Sequence, residues 1–342
     1  MKIVLSGGGT LGSVSPTIAV WQALKEKGLS LEALFIGTAK GPEKSFLRQY
    51  PEIEFRSIPS GKLRRYFSLQ NFLDFFLILA GLFKSLVILS KFRPKVILAA
   101  GGFVSVPVIL AAKIFGIKVA IHQLDIKPTL SNKLVQGLAD IITVTFEKSL
   151  NDFPRKKTVL VGSVLRQEIQ KVENSPLGNN LLILGGGTGA SSLNKLIIKT
   201  LPFLPAAVKV MQITGKNKKT GFQAENYRQS ELLTDDYYQE MAQADLVITR
   251  AGLSSLMELS YLAKPSIIIP LPKSHQEKNA KFFAHKRSAI CLDQKELTPK
   301  MLADKIKTLL ADPAKLKQLG QNINSLLVHN GRSKIAEIIL NL

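Results

Sequence analysis

Ser255 and Glu258 stand three residues apart in "TRAGLSSLMELSYLAKPSIIIPLP" (Thr249 to Pro272), so a helix there carries both on one face. A carboxylate in that place can accept both hydroxyls of a ribose. The start of the same helix turns its N–H groups and positive dipole end toward phosphates. The pair also fits a capping-box-like arrangement with Ser255 as the cap, and spacing alone leaves both readings open. The following "PKSHQEKNA" adds polar groups, His275, Gln276 and Asn279, on a loop and helix start just after a strand.

Two glycine loops offer a second kind of chemistry. In "LSGGGTLGSVSP" (Leu5 to Pro16) the residues Gly7, Gly9 and Gly12 satisfy G-x-G-x-x-G after a short apolar strand. A dinucleotide site also wants an acid at the end of the second strand, to hold the ribose. Here "ALFIGTAKG" ends in Gly37, Thr38 and Ala39, which disfavours a nicotinamide enzyme, and no G-K-[ST] follows to make a P-loop. What remains is a set of bare amides at a helix start, suited to a diphosphate or to sugar hydroxyls. Tight strand-to-helix packing explains one such loop as well. The second, "LILGGGTGASSLN", places Gly187 in the position that Gly9 holds in the first. Two loops in matching positions suggest facing walls of a cleft.

Those loops must be held by strands, and the chain supplies them in a regular rhythm. Short β-branched or Leu-rich runs, "KIVLS", "ALFIG", "VILAAGG", "VAIHQ", "IITVT" and "TVLVG", alternate with helical stretches. The rhythm restarts at Asn179 and continues through "VKVMQIT", "ADLVITRAG", "SIIIPLP" and "AICLD". The pattern predicts two Rossmann-like α/β halves, each a parallel sheet covered by helices, with the seam between about Gly162 and Pro176. Thr298-Pro299 and Asp312-Pro313 read as N-cap and N1 pairs of late helices.

The 342 residues suffice for two domains, and the formal net charge of +21 favours anionic partners. Nucleic acid is excluded as the expected partner. The basic residues are spread along the chain, with no zinc-finger spacing and no RNP-like aromatic motif. Cys291 is the only cysteine and sits in the apolar "SAICLD", which predicts a buried inert thiol and a reducing compartment. The opening strand leaves no room for a signal peptide. With four histidines and no cluster at metal-ligand spacing, no metal site is expected.

One stretch departs from the soluble pattern. "SLQNFLDFFLILAGLFKSLVILSKFRPK" (Ser68 to Lys95) is apolar nearly all round, with a thin polar stripe of Asp74, Lys84, Ser85 and Lys91. Its longest uninterrupted apolar run, Phe75 to Phe83, is short of the ~18 residues a bilayer span needs. A buried helix and a helix whose outer face touches a membrane both fit. Flanking Lys62, Arg64, Arg65, Arg93 and Lys95 suit anionic headgroups.

Taken in order, these segments resemble the MurG-type glycosyltransferases of bacterial cell-wall synthesis. The resemblance rests on "GGTLGSVSP", "SGKLRRYFSLQN", "GGFVSVP", "IHQLDIKPTLSNK", "VGSVLR", "LGGGTGASSLN", "ADLVITRAGLSSLMELS" and "HQEKNA", and covers nearly the whole chain. It implies an α/β GT-B fold, two Rossmann-like domains with a cleft between them. An acceptor- and membrane-facing domain would span 1–163 and a UDP-sugar domain 164–330, with a terminal helix over 331–342 packing back on the first. The implied activity is inverting transfer of N-acetylglucosamine from UDP-GlcNAc to the muramoyl O4 of a polyprenyl-diphosphate-linked muramoyl-pentapeptide. That step turns lipid I into lipid II in peptidoglycan synthesis, and so serves cell shape and division. The place implied is the cytoplasmic face of the cell membrane, peripherally, without a cofactor.

By the same resemblance Glu258 holds the ribose, Ser255 and Leu253 with the turn amides hold the diphosphate, and the backbone at Thr234 lies near the uracil. Arg166, Gly187, Thr188, Gly189, Gln276 and Asn279 complete the donor wall, with Thr10, Leu11 and Gly12 reaching it from the first loop. Gly8, Gly9, Gly101, Gly102, Ser105 and Asp125 take the acceptor. Arg64, Arg65, Phe75, Phe76, Phe83 and Lys84 face the membrane. The implied catalytic set is Asp125, His122 and Ser13.

This chain departs from the pattern at the base. Ser13 stands where the family has histidine, Leu11 replaces a glycine, and His122-Gln123 replaces a His-Glu pair. A serine cannot stand in for imidazole as a base near neutral pH, so the proton falls to Asp125 or His122. A transferase for another lipid-linked acceptor, or a catalytically weak UDP-sugar-binding scaffold, are the alternatives.

Overall fold

The computed structural model describes residues 1–61, 69–175, 177–185, 190–233, 236–274 and 276–342, with the side chains of 69–73 left aside. The chain divides into two compact units, Met1–Gln167 with Val328–Leu342, and Glu168–Leu327.

Unit 1 runs β1 (Lys2–Ser6), α1 (Ser15–Glu26), β2 (Glu32–Gly37), α2 (Glu43–Phe46), β3 (Ile53–Ser57), α3 (Leu69–Phe92), β4 (Val96–Ala99), α4 (Ser105–Ile114), β5 (Lys118–Gln123), α5 (Leu130–Val135), β6 (Ile141–Val144) and β7 (Thr158–Leu160). Unit 2 runs β8 (Asn180–Leu184), α6 (Ser191–Thr200), β9 (Lys209–Ile213), β10 (Tyr227–Ser230), α7 (Tyr237–Gln243), β11 (Leu246–Thr249), α8 (Leu253–Tyr261), β12 (Ser266–Ile268), α9 (Gln276–His285), β13 (Ile290–Cys291), α10 (Pro299–Leu310) and α11 (Pro313–Asn324). The chain ends in α12 (Gly331–Leu340), back in unit 1.

The sheets have the orders β3-β2-β1-β4-β5-β6-β7 and β10-β9-β8-β11-β12-β13. The named pairings are parallel, which bears out the Rossmann-like reading. Parallel strands are buried on both faces, so β1, β4, β8 and β11 are continuous apolar runs. In each sheet the order reverses once, between β1 and β4 and between β8 and β11. Ligands of such sheets bind beyond the C-terminal strand ends at that reversal, and the glycine loops follow those strands.

Two apolar layers sandwich the first sheet. On one side α1 and α12 bury Ile18, Trp21, Leu24, Ile335, Ala336 and Ile339. On the other, α3 and α4 bury Ile88, Leu89, Val108 and Ile109. A backbone stitch holds α12 in place: Ser163 N–H donates to Val328 O at 2.8 Å, and Gly331 N–H donates to Ser163 O at 3.1 Å. Gly162 permits this approach, since its φ is +79° and a Cβ would lie 2.1 Å from Val328 O. In unit 2, Thr298 and Asp312 cap α10 and α11, accepting from Met301 N–H at 3.2 Å and Lys315 N–H at 2.9 Å.

The apolar stretch forms a single long helix. Asp74–Phe92 is, by length and composition alone, long and apolar enough to cross a membrane, since Lys84 and Lys91 are its only charged residues after Asp74. The helix is nonetheless part of unit 1, with Ser85, Ile88 and Leu89 buried. Its other side leaves Phe75, Phe76, Leu77, Phe83 and Val87 exposed.

Candidate functional site

In unit 1 the loops after β1, β4 and β5 converge. Gly9, Gly101 and Gly102 have φ of +83°, +93° and +84°, a region L side chains avoid. The Ser105 hydroxyl donates to Gly102 O at 2.7 Å. Thr129, Ser131 and Asn132 bring polar atoms to within 3.8–3.9 Å of a Cβ built on Gly101, so bare backbone meets hydroxyls and an amide there.

Ser13 is a staple of the first loop. Its Oγ accepts from Gly8 N–H at 2.9 Å and lies in donor range of Gly8 O at 3.2 Å and Thr10 O at 3.1 Å. Thr10, Leu11 and Gly12 sit at the exposed or half-exposed rim of that loop.

His122 is placed differently from expectation. The ring is 1% exposed, with Nδ1 at 3.0 Å from Thr143 Oγ1 and Nε2 at 3.3 Å from Thr145 Oγ1. Burial pushes its pKa down to about 4. Both nitrogens are engaged inside the sheet, so His122 does not take a proton from a substrate. It fixes the end of β5.

The neighbouring Gln123, fully buried, organises the loop that carries Asp125. Its Nε2 donates to Asp125 O at 2.8 Å and Lys127 O at 3.1 Å. Its Oε1 accepts from Asn132 Nδ2 at 2.8 Å and Thr129 N–H at 3.3 Å. A carboxylate in this place could not make the two donations. Asp125 itself is half-exposed beside these loops.

Sequence reasoning missed Glu43. It is fully buried, and its Oε1 accepts from the Thr38 N–H at 2.6 Å and from the Thr38 hydroxyl. A Cβ on Gly8 would meet that oxygen at 2.6 Å, so the carboxylate buttresses the first glycine loop. Lying in the polar "TAKGPEKS", it carries no sequence signal of burial.

In unit 2 the helix α8 starts at Leu253 with Gly252 as N-cap and no side-chain cap. This removes the capping-box reading: Ser255 lies in the first turn, and the Glu258 carboxylate turns elsewhere. The first-turn amides of α8 carry no side-chain cap, the arrangement that receives an anion. Glu258 is 6% exposed, with Oε2 accepting from Tyr237 OH at 2.9 Å and Oε1 from Tyr238 OH at 3.1 Å. Asn279 is buried and donates its amide to Ala251 O at 3.0 Å, tying α9 to the turn before α8. Gln276 Oε1 accepts from Leu271 N–H at 3.0 Å.

Arg250, also missed, ends β11 as a 4%-exposed guanidinium. It donates to Ile269 O at 2.9 Å, Pro270 O at 3.1 Å and Ser192 Oγ at 2.8 Å. Among the described residues no carboxylate pairs with it, its Nε has no acceptor, and burial lowers its pKa. An uncompensated cation at the strand ends favours an anionic ligand. Its place after the apolar "DLVIT" was the available signal.

Arg166 does not stand open as a donor contact. It belongs to unit 1, is 8% exposed, donates to Tyr50 OH at 3.1 Å and lies 5.1 Å over the Phe46 ring. Gly187, Thr188, Gly189, Thr234, His275, Arg64 and Arg65 lie outside the described residues. Among the described residues no group of three potential metal ligands occurs.

Residues 3–144 match the glycosyltransferase family 28 N-terminal domain, and residues 180–337 match the family's C-terminal domain. A protein of Clostridium tetani (strain Massachusetts / E88) is 35% identical over 356 residues, 99% of this chain and 97% of its own length. It is named UDP-N-acetylglucosamine--N-acetylmuramyl-(pentapeptide) pyrophosphoryl-undecaprenol N-acetylglucosamine transferase. A protein of the same name from Staphylococcus aureus (strain Newman) is 35% identical over 324 residues, 90% of each chain. Among solved structures, MurG of Acinetobacter baumannii matches with a TM-score of 0.74 at 22% identity, covering 100% of this chain and 99% of that one. The UDP-GlcNAc 2-epimerase of Neisseria meningitidis reaches 0.69 at 13% identity over 100% and 99% of the two chains. The fold is thus GT-B, an architecture that hosts more than one activity.

Proposed function

The chain belongs to glycosyltransferase family 28, and from that premise we propose how its units divide the reaction. The protein is a UDP-GlcNAc-dependent hexosyltransferase that converts lipid I to lipid II in peptidoglycan synthesis. Unit 2 takes the donor. The observation that carries this reading is Glu258, a carboxylate held one turn inside a helix whose N-terminus has no side-chain cap. Glu258 accepts the ribose hydroxyls, while the α8 amides near Leu253 and Ser255 hold the diphosphate with the charge of Arg250 nearby. Gln276 is directed at the sugar, and Asn279 positions the turn. The loop at Gly187 to Gly189 and the backbone of Thr234 complete the donor wall on sequence order alone.

Unit 1 takes the acceptor diphosphate on the loops of Gly8, Gly9, Gly101, Gly102 and Ser105. The muramoyl O4 attacks the anomeric carbon of GlcNAc. The bond from that carbon to the diphosphate oxygen breaks, its electron pair leaves with UDP, and a β linkage forms. The O4 proton passes to the Asp125 carboxylate. The helix dipole and Arg250 stabilise the charge growing on UDP, the term that usually dominates such catalysis.

The exposed aromatic face of α3, flanked by Lys84, Lys91, Arg93 and Lys95, rests on an anionic membrane surface at its cytoplasmic side, with Arg64 and Arg65 adding charge. A polyprenyl-linked acceptor requires such a station.

The decisive experiment is incubation of purified protein with UDP-GlcNAc and a lipid I analogue, read by mass spectrometry. A product heavier by one N-acetylhexosamine supports the assignment. Tight UDP-GlcNAc binding with no product on any lipid-linked acceptor would replace it with the scaffold reading.

A further inference from the structure

Gln123 closes β5 fully buried, and its amide makes every hydrogen bond an amide can make. Nε2 donates to Asp125 O at 2.8 Å and Lys127 O at 3.1 Å. Oε1 accepts from Asn132 Nδ2 at 2.8 Å and Thr129 N–H at 3.3 Å. One side chain thus ties down the loop 125–129 at its start, middle and end. The buried Ser149 adds a further tie, its hydroxyl donating to Ile126 O at 3.3 Å.

The amide cannot turn over. Turned, its oxygen would face two carbonyls and its nitrogen would face N–H donors. Asn132 cannot turn to meet it, because the same Nδ2 also donates to His122 O at 3.1 Å. The His122 ring is held in turn by Thr143 on β6 and Thr145 just beyond it. The loop is therefore referenced to the sheet through a chain of side chains with one polarity.

Resting on the acceptor and proton assignments above, we propose that Gln123 is a positioning residue for the transfer step. Its amide sets the loop that carries Asp125 and that brings the Thr129 and Ser131 hydroxyls toward Gly101. Neutrality matters here as much as shape, because the place calls for two donations and two acceptances at once. A glutamate of the same size keeps the acceptances but sets a carboxylate oxygen against Asp125 O and Lys127 O. Those carbonyls lose their donors and are repelled, and the loop shifts. A protonated glutamate restores one of the two donations.

Single-turnover transfer to a lipid I analogue at pH 6 and pH 8 tests this on the whole protein, in wild type, Gln123→Glu, Gln123→Met and Asp125→Asn. UDP calorimetry and melting curves accompany each variant. At pH 8 Gln123→Glu should fall about 10²-fold below wild type, the scale of misplacing a reacting group by about 1 Å. Burial among carbonyls pushes the new carboxyl's pKa up, so at pH 6 the deficit should shrink to about tenfold. Gln123→Met, with no donor to offer, should show the same deficit at both pH values. His122 adds nothing to the difference, since its pKa of about 4 keeps the ring neutral throughout. UDP affinity should stay at the wild-type value in the Gln123 variants. A Gln123→Glu rate equal to wild type at pH 8, or a deficit identical at both pH values, refutes the positioning role. If Asp125→Asn transfers as wild type does, the base assignment fails, and Gln123 is still judged by its own pH ratio. Should Gln123→Glu not fold at pH 8, Gln123→Met decides: a wild-type rate refutes the proposal, and a loss with UDP affinity kept supports it.

Discussion

A Cβ on Gly102 would lie 2.8 Å from the carbonyl oxygen of Gly8, so the loops after β1 and β4 touch backbone to backbone. Gly102→Ala must therefore push the loops apart and adopt a φ of +84°. The expected cost is about 1–3 kcal/mol of stability, the scale of a strained backbone position. KM for a lipid I analogue should rise, while UDP affinity stays unchanged. A variant with wild-type acceptor KM would show that this contact does not shape the acceptor site.

The proton acceptor can be separated from its neighbours. Asp125→Asn should lower the single-turnover transfer rate by about 10²–10⁴, the usual worth of a general base. Ser13→Ala removes a loop staple and should cost less than about tenfold, since a neutral hydroxyl is no base at pH 7. His122→Gln should also stay within about tenfold. If Ser13→Ala abolishes transfer with donor binding intact while Asp125→Asn stays near wild type, the assignment to Asp125 is wrong.

His122 also sets a pH signature on stability. Its folded pKa of about 4 lies below the ordinary 6.5, because burial disfavours the imidazolium. The unfolded chain therefore binds the proton first as pH falls. The stability is fully present above about pH 6.5 and is lost progressively down to about pH 4. Between pH 7 and 5 this amounts to roughly 2 kcal/mol. Urea unfolding of wild type and His122→Gln at both pH values should show wild type losing about that much more. Equal losses would mean that the ring is not held neutral.

The exposed aromatics of α3 give a test of membrane contact that leaves the fold alone. Phe75 and Phe83 are 53% and 66% exposed, so Phe75→Ser with Phe83→Ser should leave the melting temperature nearly unchanged. Each phenyl inserted into the interface contributes about 1.5–3 kcal/mol at most, so the double variant should weaken co-sedimentation with anionic vesicles at least tenfold. Binding that survives in the variant would make that face an ordinary surface.

The central strands were legible because burial on both faces writes a continuous apolar run. The edge strands β3 and β10 were not. Ile53–Ser57 alternates buried and open positions, and Tyr227–Ser230 is mostly polar. The glycine loops were legible for a related reason, since close approach demands glycine. Partners that arrive from another element leave no local trace. Nothing in the helix of Glu258 announces that Tyr237 and Tyr238 will meet its carboxylate, or in the loop of Glu43 that it will lie beneath Gly8. Spacing put Ser255 and Glu258 on one face but could not say that Gly252, not Ser255, would begin the helix.

The stitch between Ser163 and Val328 has a consequence for how such a chain can be rebuilt. The chain leaves unit 1 after Gln167 and re-enters at Val328, and the departing and returning segments are hydrogen-bonded to each other through Ser163, Val328 and Gly331. Unit 2 is thus a guest looped out of a host whose ends are already fastened together. Closing so long a loop costs entropy that grows only logarithmically with its length, so the host is nearly indifferent to the size of what it carries. Grafting is the natural operation on this architecture: a second unit from a relative, exchanged at those two crossings, would leave α12 seated on α1 and the glycine loops of unit 1 intact.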